Sequence, residues 1–290
     1  MVVIKNEFLK VEINELGAEL MSVKSADGTE YLWQGDEKFW GGRAPVLFPY
    51  VGRFTGGEYT FGGKKYNMDI HGFAKDSVFE VNKESNDRAI FILYSTDETL
   101  KIYPFEFEFC VDYRFDGAKL YMNFSVKNKG NSTMYFGLGG HPGINVPLEK
   151  GTDFEDYYLD FGKADSLKKV VLTSKVFTTD DRTDFKLDNG KLWLEHRLFD
   201  NDVIVFENAP KTLTLKSDKS KKGVRATYND MAYIGFWHAT KTNAPYVCIE
   251  PWSSLPSRQD IVEDLATQPS IISLEAGGTY KNELCFEILG

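Results

Sequence analysis

The chain of 290 residues carries 43 acidic and 34 basic side chains, a net charge of -9, with both signs scattered along its length. It therefore offers no basic face for nucleic acid or an anionic lipid surface, and a neutral or weakly anionic small molecule is the easier partner to accommodate. No apolar run reaches the roughly 18 residues of a membrane span, and no leader pattern opens the chain, so we expect a cytoplasmic protein that does not enter a membrane.

The three cysteines, Cys110, Cys248 and Cys285, lie far apart in apolar, strand-like segments. Their odd number and wide spacing fit reduced thiols of the core better than disulfides or a metal-binding knuckle. The 22 Phe and 15 Tyr residues occur mostly in short alternating runs, which favours strands over helices.

The first half of the chain is dominated by the alternating pattern of β-strands. Alternation over residues 1–40 predicts an antiparallel meander with a turn at 26–29. Residues 38–75 then crowd glycines and prolines into one irregular segment, and a loop-rich segment of this length within a compact chain is usually functional. The runs 105–115 and 120–126 flank a tight Asp-Gly turn, which predicts a β-hairpin.

In the second half of the chain the predicted strands are shorter. A run at 133–138 leads into Gly137–Pro147, where glycines and prolines surround His141 and shape a loop at a strand end. Residues 180–184 are expected to form a charged loop, and only 257–267 space their apolar residues like a short helix. Further strands are expected at 157–161, 170–172, 198–206, 212–215, 231–237, 246–249 and 284–289.

The order of these elements predicts the fold class. No linker of low complexity divides the chain and no repeat with a period of about 20–50 residues occurs, so residues 1–290 are expected to form a single domain. Many short strands without alternating helices imply an all-β protein, an extended sandwich of two packed antiparallel sheets. Its site would lie on a concave face or among the edge loops.

Three polar side chains stand directly beside glycine or proline in strand-end settings: His71, His141 and Glu250. A carboxylate and two imidazoles can carry out general acid–base chemistry near neutral pH, because burial can raise a glutamate pKa toward that of histidine. Arg53 would add a forked donor for hydroxyls or a developing oxyanion. The aromatic side chain of Trp252, like that of Phe73, could supply an apolar face for a sugar ring.

Each of these residues also has a structural interpretation. A histidine in a turn can be a hydrogen-bonded structural group, and Glu250 could be a surface carboxylate at a strand end. His196 and His238 lack the Gly/Pro setting, so we expect structural roles for both. His71, His141 and Glu250 would also make a metal triad, but neither the His-x-His nor the His-x-x-x-His spacing is present. Signatures of a serine nucleophile and of a phosphate-binding loop are absent.

Four motifs occur in a fixed order between residues 41 and 256: Arg43–Pro49 with Gly52-Arg53, His71–Asp76, Gly140–Gly143 and Ile249–Trp252. Together they resemble the aldose 1-epimerase (galactose mutarotase-like) family, and within it the LacX-like branch. The resemblance implies a β-supersandwich that interconverts α and β anomers of a hexose without cofactor or metal.

The resemblance also implies roles for individual residues. By position, Glu250 corresponds to the general base that takes the proton from the anomeric hydroxyl, and His141 to the general acid that protonates the ring oxygen. His71 and Arg53 correspond to residues that hydrogen-bond the sugar and stabilise charge. Asp202 corresponds to a carboxylate ligand of the sugar hydroxyls, and Asp200 is its near competitor.

Two departures from the family pattern concern the substrate. The hexose-6-phosphate branch has arginines that reach the phosphate, and the matching positions here, Lys75 and Arg43, are both cationic, so the substrate could be an aldohexose or a hexose phosphate. The galactose branch has Asn-Arg after its Gly-Arg motif, where this chain has Phe54-Thr-Gly, so no preference for galactose is implied. A non-catalytic carbohydrate-binding or sensing protein of the same fold is the alternative hypothesis.

Overall fold

The computed structural model describes residues 1–290 and is almost entirely β. Its one α-helix is α1 (Asp97–Ile102), and its 3-10 helices are Thr55–Gly57, Ala74–Asp76, Phe154–Asp156, His196–Phe199 and Leu265–Thr267. In chain order the strands are β1 (Val2–Lys5), β2 (Leu9–Ile13), β3 (Leu20–Ser25), β4 (Val46–Leu47), β5 (Glu58–Phe61), β6 (Lys64–Asn67), β7 (Glu80–Asn82), β8 (Arg88–Tyr94), β9 (Phe107–Asp116), β10 (Lys119–Asn128), β11 (Met134–Phe136), β12 (Gly139–Gly140), β13 (Gly143–Asn145), β14 (Tyr157–Asp160), β15 (Ser166–Leu172), β16 (Thr178–Lys186), β17 (Lys191–Trp193), β18 (Ile204–Glu207), β19 (Thr212–Ser217), β20 (Gly223–Tyr228), β21 (Tyr233–Trp237), β22 (Tyr246–Trp252), β23 (Ile272–Leu274), β24 (Thr279–Asn282) and β25 (Leu284–Leu289).

Two large antiparallel sheets form the body of the protein, as the sequence predicts. The first has ten strands in the order β17-β14-β19-β20-β25-β10-β9-β8-β7, with β24 also paired to β10. The second has eight strands in the order β16-β15-β18-β21-β22-β12-β4, with β13 also paired to β22. The smaller sheets are β1-β2-β3, β5-β6 and β11-β23.

A buried apolar cluster connects the two large sheets. Along β9, buried residues alternate with partly exposed ones, the pattern of a strand with one face on a core. Phe48, which follows β4 of the second sheet, stacks on Phe109 of β9 with 4.3 Å between ring centroids. The members of this cluster come from the whole length of the chain, from Ile4 to Ile288. The three cysteines are unpaired, and Cys248 and Cys285 are buried.

The predicted N-terminal meander and the central hairpin are both confirmed. β1, β2 and β3 pair antiparallel in sequence order. β9 and β10 pair from Asp116 opposite Lys119 to Phe107 opposite Asn128. No helix of the structure is long and apolar enough to cross a membrane.

The predicted helix at residues 257–267 is wrong. This segment is irregular until the 3-10 turn Leu265–Thr267, because its backbone groups bond to another part of the chain. The Ser257 N–H donates to the Arg53 carbonyl at 3.0 Å, and the Glu263 carbonyl accepts from the Thr60 N–H at 2.9 Å. Amphipathic spacing alone did not decide the conformation.

Two further local predictions need correction. Residues 180–184 are not a loop but lie within β16, an edge strand, and charged side chains are a common feature of exposed edges. The strand predicted over 198–206 begins only at Ile204. The residues before it form the end of the 3-10 helix His196–Phe199 and a turn that follows it. Helix α1, which the sequence analysis missed, is a six-residue element capped by reciprocal Thr96 and Thr99 bonds.

Candidate active site

The centre of the eight-stranded sheet brings together segments that are far apart in sequence. β22 carries Glu250, and its neighbour β21 places Gly235 directly opposite, where there is no side chain to cover the carboxyl. On the other side of β22, Gly139 of β12 pairs with Trp252, and His141 follows one residue after β12 ends.

His141 is held by its backbone and by aromatic rings. Its N–H donates to the Pro45 carbonyl at 3.1 Å. The imidazole centroid lies 5.0 Å from the Trp40 ring, 5.7 Å from the Trp237 ring and 5.6 Å from the His71 ring. A Cβ at Gly139 would come within 2.7 Å of the Pro251 carbonyl oxygen, so the glycine allows this strand to approach β22 closely.

Glu250 and His141 form a buried pair. His141 Nε2 lies 3.2 Å from Glu250 Oε2, and the two residues are 9% and 1% exposed. Neither carboxylate oxygen makes a hydrogen bond within the protein, and neither does His141 Nδ1. Buried polar atoms are normally satisfied, so this group of unpartnered atoms indicates a site that a ligand completes.

Burial drives both members of the pair toward their neutral forms. Desolvation, and after it the charge of Asp202, raises the pKa of Glu250 well above its usual value. Desolvation lowers the pKa of His141 to about 4. Both shifts favour the form of the pair in which the Glu250 carboxyl holds one proton beside a neutral His141 imidazole.

His71 sits in a left-handed backbone conformation, with φ of 67°. Its N–H donates to the Gly52 carbonyl at 2.7 Å, while its Nδ1 accepts from the Gly52 N–H at 3.1 Å. Because Nδ1 is the acceptor, Nε2 carries the proton in the neutral ring and is left as a donor. Desolvation, followed by repulsion from His141, lowers the pKa of His71 well below its usual value.

The rim of the pocket carries charged groups of both signs. The Arg53 guanidinium has neither a hydrogen bond nor an ion pair within the protein, whereas Lys75 pairs with Asp76. Asp202 adopts φ of 75°, and its Oδ1 accepts the Val203 N–H at 2.8 Å. Asp200, the competing carboxylate, is exposed and does not line the pocket.

These side chains surround a cavity of about 380 Å³, within the range of small-molecule sites. Its lining is Trp40, Pro45, Gly52, Arg53, Ile70, His71, Lys75, His141, Val176, Asp202, Val203, Trp237, Glu250, Trp252 and Pro256. The structure thus brings seven of the eight predicted site residues to one pocket.

The eighth predicted site residue, Arg43, lies elsewhere. Its Nη1 donates to the Met21 carbonyl at 2.6 Å and to Gln34 Oε1 at 3.1 Å, and it does not line the pocket. Phe73, proposed as an apolar face, packs instead against Phe48 and Phe107.

Eight lining residues were not among the predicted site residues, and the most informative of them are Trp40, Trp237 and Val176. Trp40 and Trp237 both pack against His141. The available sequence signal was an aromatic residue at the edge of a glycine-rich segment for Trp40, and one at the end of a strand for Trp237. Val176 lines the pocket with φ of 63°, rare for a β-branched residue, and nothing in its local sequence points to the site.

The side chains that could together hold a metal ion are not the triad of His71, His141 and Glu250 considered from the sequence. His141, Cys248 and Glu250 place their ligand atoms within 4.8 Å of one another. His71 is not in this group. Burial, and then the neighbouring Glu250, raises the pKa of the Cys248 thiol well above its usual value, and a neutral thiol is a weak ligand.

Fold and site together define a class of protein: an antiparallel β-sandwich with a small-molecule pocket built around a buried carboxyl–imidazole pair. The aldose 1-epimerase family model matches residues 1–284, and the chain belongs to this family.

Individual relatives match almost the whole chain. The chain is 32% identical to the chromosomal protein LacX of Lactococcus lactis subsp. lactis, over 99% of this chain and 98% of that protein. It is 36% identical to a galactose mutarotase related enzyme from Lactobacillus acidophilus, with a TM-score of 0.94, covering 99% of this chain and 96% of the other. A galactose mutarotase-like protein from Lactobacillus casei is 32% identical, with a TM-score of 0.94 and 99% of both chains covered.

Proposed function

We propose that the protein is an aldose 1-epimerase, or mutarotase, that interconverts the α and β anomers of an aldohexose or a hexose phosphate. The observation that carries the proposal is the buried pair of Glu250 and His141, whose Oε2 and Nε2 atoms are 3.2 Å apart. Their remaining buried polar atoms have no partner in the protein and are free to bond a substrate. Membership of the aldose 1-epimerase family supports the same class of reaction.

The chemistry requires two proton transfers at a hemiacetal. A base takes the proton of the anomeric hydroxyl while an acid protonates the ring oxygen, and the bond between C1 and the ring oxygen breaks to give the free aldehyde. Rotation about the C1–C2 bond presents the other face of the carbonyl. Closure by the reverse transfers returns both protons and gives the opposite anomer.

The shared proton of the pair supplies both catalytic groups. Transfer of the proton from Glu250 Oε2 to His141 Nε2 creates a carboxylate and an imidazolium without changing the net charge of the site. In this form Glu250 is the general base and His141 the general acid. Burial makes this charged form the less favoured one at rest, and the attraction between opposite charges 3.2 Å apart reduces the free-energy cost of forming it.

The remaining lining residues fit the binding of a sugar. His71 Nε2–H and the unpartnered Arg53 guanidinium are donors for hydroxyl or ring oxygens, and Asp202 is an acceptor for hydroxyl protons. Trp40 and Trp237 line the pocket beside His141, with 5.5 Å between their ring centroids, and offer apolar surface to the C–H groups of a pyranose.

The charged rim bears on the choice between a free and a phosphorylated sugar. Arg53 and Lys75 both line the pocket, and two cations can hold a phosphate group. Arg43, in contrast, bonds Met21 and Gln34 away from the pocket. We therefore assign any phosphate contact to Arg53 and Lys75 alone.

The direct test is a screen of anomers. Freshly dissolved α-glucose, α-galactose and their 6-phosphates are followed by polarimetry, with and without purified protein. We expect faster decay of the optical rotation for at least one sugar. An Arg53→Ala variant that loses activity on the 6-phosphate far more than on the free sugar would identify the phosphorylated substrate.

A non-catalytic sugar-binding protein is the competing hypothesis. It predicts that a sugar quenches tryptophan fluorescence, since Trp40, Trp237 and Trp252 line the pocket, while no tested sugar shows faster mutarotation. A metal-dependent mechanism makes a different prediction, namely a stoichiometric transition metal in the dialysed protein by elemental analysis.

A further inference from the structure

The second histidine pair of the protein lies outside the pocket, behind its wall. His196 begins the 3-10 helix His196–Phe199, and His238 directly follows Trp237 at the end of β21. His196 Nδ1 and His238 Nε2 are 3.1 Å apart, although 42 residues separate them in sequence. His238 is fully buried, and the ring of Phe154 stacks on His196 with 4.1 Å between centroids.

The direction of this hydrogen bond follows from the groups around it. His238 Nδ1 lies 2.8 Å from the Ala239 carbonyl oxygen, which can only accept, so Nδ1 carries the proton. The same carbonyl also accepts from the Thr242 hydroxyl at 2.7 Å. In the neutral ring His238 Nε2 is then an acceptor, and His196 Nδ1 must be the donor.

The bond also persists when the pair gains a proton. The free nitrogen is His196 Nε2, which lies 4.0 Å from Glu155 Oε1. A proton taken up there faces a carboxylate and leaves the bond from Nδ1 to His238 intact. Desolvation lowers the pKa of His196 and lowers that of His238 to about 4, while the charges of Glu155 on His196 and Asp200 on His238 oppose these shifts.

This hydrogen bond connects two walls of the pocket. On one side, the Asp202 N–H donates to the Phe199 carbonyl at 3.0 Å, so the last residue of the His196 helix holds the backbone of Asp202. The Phe199 ring packs on His238 with 4.4 Å between centroids. On the other side, His238 is covalently next to Trp237, whose ring lies 5.7 Å from that of His141.

We infer that His196 and His238 are positioning residues, whose hydrogen bond fixes the Asp202 wall of the pocket relative to the Trp237 wall. Neither residue lines the pocket, so their effect on a substrate passes through Asp202 and Trp237. The consequence for catalysis rests on the proposed function, whereas the consequence for the Asp202 backbone does not.

The test compares His196→Ala with His196→Asn, whose amide N–H can replace the Nδ1 donor, and uses Glu155→Gln as a control on the exposed side. Amide hydrogen exchange of Asp202 is measured first, because it requires no activity. We expect His196→Ala to speed this exchange about tenfold, the effect of losing one buried hydrogen bond, with recovery in His196→Asn and no change in Glu155→Gln.

The kinetic readout separates positioning from general stability. His196→Ala should raise KM about tenfold and leave kcat within about twofold, since the bond acts on sugar binding and not on the proton-transfer pair. A folded His196→Ala variant with wild-type exchange at Asp202 would overturn the inference. So would a wild-type KM at every sugar tested. If the wild-type protein shows no mutarotation, the proposed function fails, and the exchange measurement still decides the role of the histidines.

Discussion

The protein has four histidines, and they form two pairs that differ in what satisfies their ring nitrogens. His196 and His238 bond each other, and His238 also bonds the Ala239 carbonyl. In the pocket, His71 bonds only the Gly52 N–H through Nδ1, and His141 Nδ1 has no partner. Both pairs are packed among aromatic rings, so burial alone does not distinguish them.

The difference shows how histidines of a ligand site can be distinguished from structural histidines. His196 and His238 bond each other and the Ala239 carbonyl, and only Nε2 of the partly exposed His196 has no hydrogen bond. In the pocket, buried His141 Nδ1 has no partner, and neither do the oxygens of Glu250. Open buried polar groups lower stability, so a protein retains them where a ligand uses them. The predictions below test this contrast.

The largest expected difference is between His141→Asn and His196→Asn. Replacing His141 removes the general acid, so we expect kcat/KM to fall about 10² to 10⁴-fold, the usual contribution of such a group. His196→Asn keeps a donor and should stay near wild type. Steady-state polarimetry on both folded variants measures the contrast. Equal losses in the two variants would mean that the pairs do not differ in function.

The two neighbouring aspartates offer a second contrast. Asp202 lines the pocket and Asp200 is exposed outside it. Asparagine tolerates the left-handed backbone of residue 202, so Asp202→Asn should fold, and it should raise KM about 10-fold or more by losing a charged hydrogen bond to the sugar. Asp200→Asn is the matched control and should leave KM unchanged. A larger increase in KM for Asp200→Asn than for Asp202→Asn would show that the sugar ligand is Asp200 and not Asp202.

The pH dependence of kcat/KM should report the ionisation of the Glu250–His141 pair. Because burial lowers the pKa of His141 to about 4, a second proton binds the pair only at acidic pH, and activity should fall about tenfold per pH unit below that point. At alkaline pH activity should fall as the raised pKa of Glu250 is passed and the shared proton is lost. An acid limb centred near the ordinary histidine pKa of about 6.5 would contradict this assignment.

The smallest expected effect is on stability. The pKa of Glu250 is raised in the folded protein, so the folded state holds a proton that the unfolded state releases above about pH 4.5. Wild-type stability should therefore fall relative to that of Glu250→Gln as pH rises from the unfolded-state pKa through the raised folded-state pKa. Urea unfolding at pH 4 and pH 8 measures this difference. An equal difference at both pH values would show that ionisation of Glu250 is not its cause.

Most of the fold could be predicted because its signals are local. The alternation of buried and outward residues in β9 and β10, with an Asp-Gly turn between them, fixes both strands and their pairing. The helix predicted at 257–267 failed because bonds to Arg53 and Thr60, distant in sequence, decide the conformation of that segment.

The site was predictable where backbone constraints accompany chemistry. His71, His141 and Glu250 could be recognised because glycine or proline stands beside each of them. Arg43 was assigned to the pocket by charge and position, but the Met21 carbonyl holds its guanidinium elsewhere. The partnership of His196 with His238 depends on how two distant elements pack, which no local pattern encodes.

The central claim is that Glu250 and His141 together exchange protons with a bound hexose. The most direct measurement is the rate of α–β exchange by NMR magnetisation transfer, for wild type and for Glu250→Gln, at a sugar concentration that saturates both. We predict acceleration of the exchange by wild type and its loss in Glu250→Gln, with sugar still bound. Wild-type acceleration by the folded Glu250→Gln variant would contradict the account.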